Sequence, residues 1–409
     1  MRVVLAGATG AIGRYLVPQL LAANHEVIGI TRNEGSLAGS GAREIVADVL
    51  DRPALLAALD GVKADAVIHQ LTALSKAPAS ARDMRETNRL RTEGTSALIA
   101  AARRLGAKKF VAASFFGGYG LLDHGREPVI ESTPFGELDG RGDAVQTALL
   151  SLEQQVHAFG GVCLRFGLFY DGAVSAVSSV SAVSPVSATW NGVLPMLHVS
   201  DAAAATVRAL AKYKPGAIYN IADDQPVTYR DREIARAAAA GLRAPRELPD
   251  AVLRLGAPFG GLLLTRTSIV LSTARAATEL GWTPEYPSLS KGLGVAVTVP
   301  TEVAMPTRAP VAAAKPKLQP VANVEAVPDP KPLPVANVEL VPEPKPLPVA
   351  KVKPVPEPKP ELKPHPVAEV KPKHTPVRHP KAPAAPKVPV DPFRDSDSAI
   401  ARIGVPHDN

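Results

Sequence analysis

Residues 3–13 run Val-Val-Leu-Ala-Gly-Ala-Thr-Gly-Ala-Ile-Gly. An apolar strand enters three glycines at three-residue spacing, Gly7, Gly10 and Gly13, and leaves into a helical pattern over residues 14–23. Few chain segments restrict a fold as tightly. One glycine lets the backbone turn at positive φ, a second lets it approach a ligand closely, and the third lets helix pack on strand. The helix then points its N-terminal N–H groups and the positive end of its dipole at whatever lies over the loop. The run Gly7, Ala8, Thr9, Gly10, Ala11, Ile12 and Gly13 is therefore the candidate pyrophosphate cradle of a dinucleotide site. A strand–helix turn that binds nothing could carry the same glycines, so the rest of the chain has to support the reading.

It does so by alternation. Strand-like runs at residues 3–6, 26–30, 43–46, 66–69, 110–113 and 162–166 are separated by helical patterns at 14–23, 53–59, 90–105 and 145–159. In the last of these, Val145, Leu149, Leu152, Val156 and Phe159 recur at helical spacing. This order predicts an α/β fold, a doubly wound parallel sheet with helices on both faces. After Gly167 the pattern loosens, and residues 173–188, almost all Ala, Val, Ser and Pro, read as an irregular loop. Further patterns predict a helix from 201 to 210, a strand at 217–222 and a helix near 231–240. Residues 168–299 are expected to form a small C-terminal lobe on the sheet edge.

Composition divides the chain near residue 299. Of 41 prolines, 27 lie from Pro300 onward, whereas of 31 glycines only Gly404 does. The segment Pro320-Val-Ala-Asn-Val-Glu recurs at Pro334 and, as Pro-Val-Ala-Lys-Val-Lys, at Pro348, a 14-residue period. Proline lacks the amide proton and fixes φ, so such a repeat is expected to be solvated polyproline II rather than helix or sheet. Residues 300–409 are thus expected to be disordered, either a spacer that could engage a protein partner or an extension without one. The body holds 30 basic against 27 acidic side chains and the tail 16 against 12. With the signs interspersed, no nucleic-acid partner is expected. The single cysteine, Cys163, excludes an internal disulfide or a cysteine-based metal cluster, and no metal site is expected. No apolar run is long enough to span a bilayer and the chain opens on a core strand, so a cytoplasmic location without membrane contact is expected.

Taken in order, several motifs resemble the extended short-chain dehydrogenase/reductases of the NAD-dependent epimerase/dehydratase group. Beside the three glycines stand Asp48-Val49, the run from Asp65 through His69 to Thr72, Gly94-Thr95 and Lys109-Phe-Val-Ala-Ala-Ser114. Tyr119-Gly120, Leu164-Arg165, His198-Val-Ser-Asp201, Tyr219-Asn220 and Leu280-Gly-Trp282 complete the set, which covers residues 1 to about 299. The resemblance implies that Asp48 and Val49 face the adenine and that Gln70, Leu71 and Thr72 line the cofactor. Members that bind NAD end the second strand in an acid for the ribose hydroxyls. Here it ends Thr31-Arg32, and a guanidinium suits a 2′-phosphate, which favours NADP with NAD as the other possibility.

The catalytic half departs from the resemblance. The family pairs a tyrosine with a lysine four residues on, the cation acidifying the phenol. Alignment on Glu153 puts those two positions at Val145 and Leu149, and no Tyr-x-x-x-Lys occurs anywhere in the chain. The asparagine expected three residues before Gly94 is Arg91, with Asn88 one turn earlier. Ser114 is the candidate for bonding a substrate oxygen and Tyr119 for a substitute acid; each also has a purely structural reading. His69, His198 and Cys163 read as packed strand residues, and Asp201 as a helix cap. Two readings of function stand at this point. One is an oxidoreductase or epimerase acting on a small carbonyl or sugar-nucleotide substrate. The other is a non-catalytic NADP-binding sensor or scaffold whose proline-rich tail binds a partner.

Overall fold

The computed structural model describes residues 1–74, 77–134, 144–171 and 183–296. The proline repeat and most of the Ala/Val/Ser-rich loop lie outside these. The opening unit is strand β1 (Arg2–Ala6), the glycine loop and helix α1 (Gly13–Ala22). There follow β2 (Glu26–Thr31), β3 (Arg43–Val46), α2 (Arg52–Ala58) and β4 (Ala66–His69). Helix α2 starts where its sequence says it should: the Asp51 carboxylate accepts the Ala54 amide, and Pro53 occupies the first turn, where a missing N–H costs nothing.

The expected helix over 90–105 is longer and interrupted. It begins as α3 (Arg85–Arg89), widens into one π-turn at Leu90–Gly94, and continues as α4 (Thr95–Leu105). Within and beside that turn, Thr92 Oγ1 donates to the Asn88 carbonyl and Thr95 Oγ1 to that of Arg91, which satisfies carbonyls that the altered ladder leaves over. Then come β5 (Lys109–Phe115), α5 (Ala144–Phe159), β6 (Val162–Phe166), α6 (Val199–Ala211) and β7 (Ile218–Ile221).

All seven strands are parallel, in the order β3-β2-β1-β4-β5-β6-β7. The chain starts in the middle, winds outward to β3, then crosses back over β1 to β4. This reversal leaves a crevice beyond the carboxyl ends of β1 and β4. Each face of the sheet has its own core. Val3, Leu5, Leu16, Leu20 and Leu164 pack with α1 and α6 on one side. Val4, Ile28, Leu55, Val67, Leu98 and Phe110 pack with α2 and α4 on the other. Consecutive strand residues thus serve opposite layers, which is why these strands read as unbroken apolar runs rather than alternating ones.

The C-terminal segment adds α7 (Tyr229–Ala239), α8 (Asp250–Gly256), α9 (Gly260–Thr265) and α10 (Leu289–Leu293) around short paired strands. Asp201 is not the cap of α6. His198 holds that position, its ring nitrogen accepting the Ser200 amide, while Asp201 lies in the first turn, 2% exposed. Its two oxygens accept the amides of Glu285 and Tyr286, and Trp282 Nε1 donates to its carbonyl. Two motifs some 80 residues apart in the chain therefore meet, and the carboxylate pins the end of the lobe to the sheet.

Candidate active site

The glycine loop closes as its spacing requires. Gly7 has φ +96°, and a β-carbon there would lie 2.8 Å from the Gln70 carbonyl oxygen at the end of β4. At Gly13 a β-carbon would come within 2.3 Å of the carbonyl oxygens of both Gly7 and Ala8. The first position thus needs glycine for its conformation and its proximity to the neighbouring strand, the third for helix–loop contact. The first turn of α1 is bonded back onto this loop, the Arg14 amide donating to the Gly10 carbonyl and those of Tyr15 and Leu16 to the Ile12 carbonyl, so the positive end of the helix dipole lies at the loop.

Above the loop lies a cleft of about 1290 Å³, larger than the usual 300–1,000 Å³ of a single-ligand pocket. Its walls include Gly7, Thr9, Gly10, Ala11 and Ile12, then Thr31 and Arg32 at the end of β2, Asp48 and Val49 after β3, and Gln70, Leu71 and Thr72 after β4. Ala8 and Gly13 are buried beneath the loop and do not reach the surface of the cleft. The cradle that added β-carbons would fill, set at the switch point of the sheet, fits a dinucleotide. The Thr31 hydroxyl donates to Glu44 and to the Asn33 carbonyl. Glu44 also accepts the amides of Gly35 and Leu37, so both its oxygens are engaged within the protein. Arg32 is exposed beside them.

The other end of the cleft is formed by β5, α5 and the C-terminal helices. Of the described β5 and α5 residues on its wall, Ala113, Ser114, Phe115 and Val145, only Ser114 carries a transferable side-chain proton. That proton is committed: Ser114 Oγ donates at 2.6 Å to Glu153 Oε1. Arg165 grips the same carboxylate with Nε at 2.9 Å and Nη2 at 2.7 Å, an ion pair only 4% and 6% exposed. Val145 and Leu149 are 4% and 0% exposed and pack with Met84, Phe115 and Phe259. An apolar floor therefore lies where the resemblance would put a phenol and an ammonium.

Tyr119 is not on the cleft wall. It ends the turn after β5, 1% exposed, and its hydroxyl donates at 2.7 Å to Asn220 Oδ1 while Arg165 lies 4.7 Å over its ring. Burial raises its phenol above the ordinary range, so it ties β5 to β7 rather than reaching a substrate. The structure brings Ser114 to the cleft with the cofactor-loop residues and keeps Tyr119 behind it. His69 closes β4; its Nδ1 accepts the Leu71 amide and Nε2 meets the Leu90 carbonyl in the π-turn. Burial lowers its pKa to about 4, which keeps the ring neutral. Cys163 is buried in β6 and its thiol is pushed up by that burial.

Sequence reading missed the far wall. Arg232, Glu233 and Arg236 of α7 face the cleft together with Tyr229. Arg232 pairs with Glu233, and Arg236 donates to the same carboxylate at 2.9 Å. The signal was present: two arginines four residues apart around a glutamate share one helix face. No group of three or more metal-ligating side chains occurs among the described residues, and no helix among them is long and apolar enough to cross a membrane.

The comparisons with known proteins agree with this architecture. The sequence profile of the NAD dependent epimerase/dehydratase family matches residues 3–160. A 3-diazoavenalumate denitrifying reductase from a Streptomyces species is 36% identical over 310 residues, covering 72% of this chain and 99% of that protein. Among solved structures, the UDP-glucose 4-epimerase of Thermotoga maritima with UDP-glucose has a TM-score of 0.58 at 18% identity, covering 71% of this chain and 96% of that one. The UDP-glucose 4-epimerase of Bifidobacterium longum with NAD+ and UDP scores 0.56 at 20% identity, covering 71% and 96%. The two epimerases share the fold. With the glycine cradle, the strand order and a full-length relative in accord, this chain belongs to the NAD-dependent epimerase/dehydratase family.

Proposed function

We propose that the protein is a nicotinamide-nucleotide-dependent reductase whose substrate takes up hydride without needing a proton from the protein. One observation carries this reading: the apolar floor of Val145, Leu149, Met84, Phe115 and Phe259 where a proton relay would stand. A reduced nicotinamide nucleotide, when bound, supplies the hydride. Reduction of a carbonyl builds an oxyanion that must be protonated, and an apolar wall cannot do that. An arenediazonium cation, in which the dinitrogen group carries the positive charge, has no such need. Its carbon–nitrogen bond breaks with the pair leaving on dinitrogen, a carbon–hydrogen bond forms from the hydride pair, and no proton is exchanged. The relative from Streptomyces supports this chemistry, because its name describes a denitrifying reductase of a diazo compound, 3-diazoavenalumate.

The chain's own residues have three tasks here. The Gly7–Gly13 loop and the N-terminus of α1 hold the pyrophosphate. Ser114, its proton given to Glu153, presents its oxygen as a hydrogen-bond acceptor rather than an acid. Arg32 favours NADP: it offers a cation to a 2′-phosphate, while Glu44 beside it already accepts three hydrogen bonds from the protein.

The test is consumption of NADPH and NADH with aldehydes, ketones, UDP-sugars and diazo-substituted aromatic acids. Turnover confined to the diazo compounds, faster with NADPH, is expected. Comparable turnover of carbonyls, or interconversion of UDP-sugars, would return the chain to the ordinary chemistry of its family. Tight binding of NADPH with no turnover by any of them would favour the sensor reading.

A further inference from the structure

The arginine cluster on α7 has no task in the hydride step. Arg232 and Arg236 are one helical turn apart, both line the cleft, and their side chains are 12% and 13% exposed. Both lean on one carboxylate, Glu233, which is 1% exposed and also accepts the Ser184 amide at 3.0 Å. The other acids near α7 are taken. Asp231 accepts the Thr228 hydroxyl, Glu247 pairs with Arg230, and Asp250 accepts hydroxyls from Ser187 and Thr189. Arg232 Nε is buried and lacks a hydrogen-bond partner, while the guanidinium lies 5.4 Å over the Tyr229 ring.

Arg232 meets Glu233 through Nη1, one end of a guanidinium that carries five N–H donors, and an anionic ligand in the cleft would give its outer donors an acceptor. The surroundings limit which anion. Leu248, Val252, Leu253 and Leu263 continue the wall from α7 toward Phe259 and the apolar floor. A ligand held there has one charged end and an apolar body. Resting on the reductase reading above, we propose that Arg232, with Arg236 beside it, binds the carboxylate of an aromatic acid substrate, a planar fork meeting a planar anion. A nucleotide sugar would bring a diphosphate and many hydroxyls into a wall that offers them few partners.

Calorimetric titration of the full-length protein, saturated with NADP, with 2-naphthoate and with 2-naphthamide tests this without requiring turnover. The acid is expected to bind at least about 10-fold more tightly than the amide. Arg232→Gln should weaken the acid about 10- to 100-fold and leave the amide and NADP unchanged; Arg232→Lys, keeping charge but losing the fork, should fall between. The acid–amide comparison in the unaltered protein needs no variant to fold. Equal affinity for acid and amide, including no measurable affinity for either, would overturn the assignment. So would UDP-glucose binding more tightly than naphthoate and losing that affinity in Arg232→Gln, since the cluster would then be a diphosphate site. Lost acid selectivity with diazo turnover intact refutes this inference alone. Preserved selectivity without turnover refutes the reductase reading alone.

Discussion

Replacing Gly13 with alanine should separate a dinucleotide cradle from an ordinary strand–helix turn. The added carbon would sit 2.3 Å from two carbonyl oxygens, those of Gly7 and Ala8, where ordinary contact begins at 3.4 Å. The overlap is about 1 Å, and both obstructing atoms are backbone that cannot swing aside. Gly13 is not among the glycines at positive φ, so the penalty is steric rather than conformational. Relief requires α1 to back away from the loop. Overpacking of this kind costs about 1–3 kcal/mol, which for a body of this size lowers Tm by about 2–10 °C. The same retreat moves the positive end of the α1 dipole away from the loop where the pyrophosphate would lie, so NADPH affinity should fall about 10-fold or more. Gly61→Ala is the control. It meets nothing within 4 Å at φ +71°, so it costs only about 1–2 kcal/mol of left-handed strain and leaves NADPH binding alone. Thermal melts and calorimetry on both variants read the two effects. A Gly13→Ala protein that melts and binds NADPH like the parent would refute the cradle.

Three further outcomes can be checked. Arg32→Ala should weaken NADPH by about 1.5–3 kcal/mol and barely alter NADH in parallel titrations; equal losses would remove Arg32 from cofactor choice. Arg165→Ala should destabilise the fold by about 3–5 kcal/mol in urea melts, because it strands a buried Glu153, whereas Glu153→Gln with Arg165→Met should cost far less. Burial pushes the Asp223 carboxyl up to about 8, against hydrogen bonds from the Tyr170 hydroxyl and the His198 amide. Unfolded, that group titrates near about 4, so between the two values only the folded state holds the proton and stability falls as pH rises. Asp223→Asn should flatten that part of the Tm–pH curve; unchanged slopes would show that Asp223 is not its source.

What the sequence made legible was what local physics decides. The Gly7–Gly13 spacing has one economical solution, and β1, the loop and α1 adopt it. Asp51-Arg-Pro set the start of α2, and apolar runs of four to seven residues gave strands buried on both faces. What escaped depends on partners far along the chain. Asp201 looks like a cap by neighbourhood, but its oxygens are claimed by amides 84 and 85 residues away. Tyr119 looks available until Asn220 and Arg165 close on it. The π-turn at Leu90–Gly94 has no composition of its own. That Val145 and Leu149 stand where the resemblance puts a tyrosine and a lysine was readable in the sequence, whereas the apolar packing around them needed Met84 and Phe259 from other elements.

The most direct measurement is a single-turnover rate of hydride transfer from NADPH to a diazo-substituted aromatic acid, taken from about pH 6 to about pH 9 in water and in deuterium oxide. With no protein group giving up a proton in the step, we expect a rate independent of pH and equal in the two solvents. A bell-shaped profile, or a slower rate in deuterium oxide, would show a proton transferred in the step and contradict the proposed chemistry.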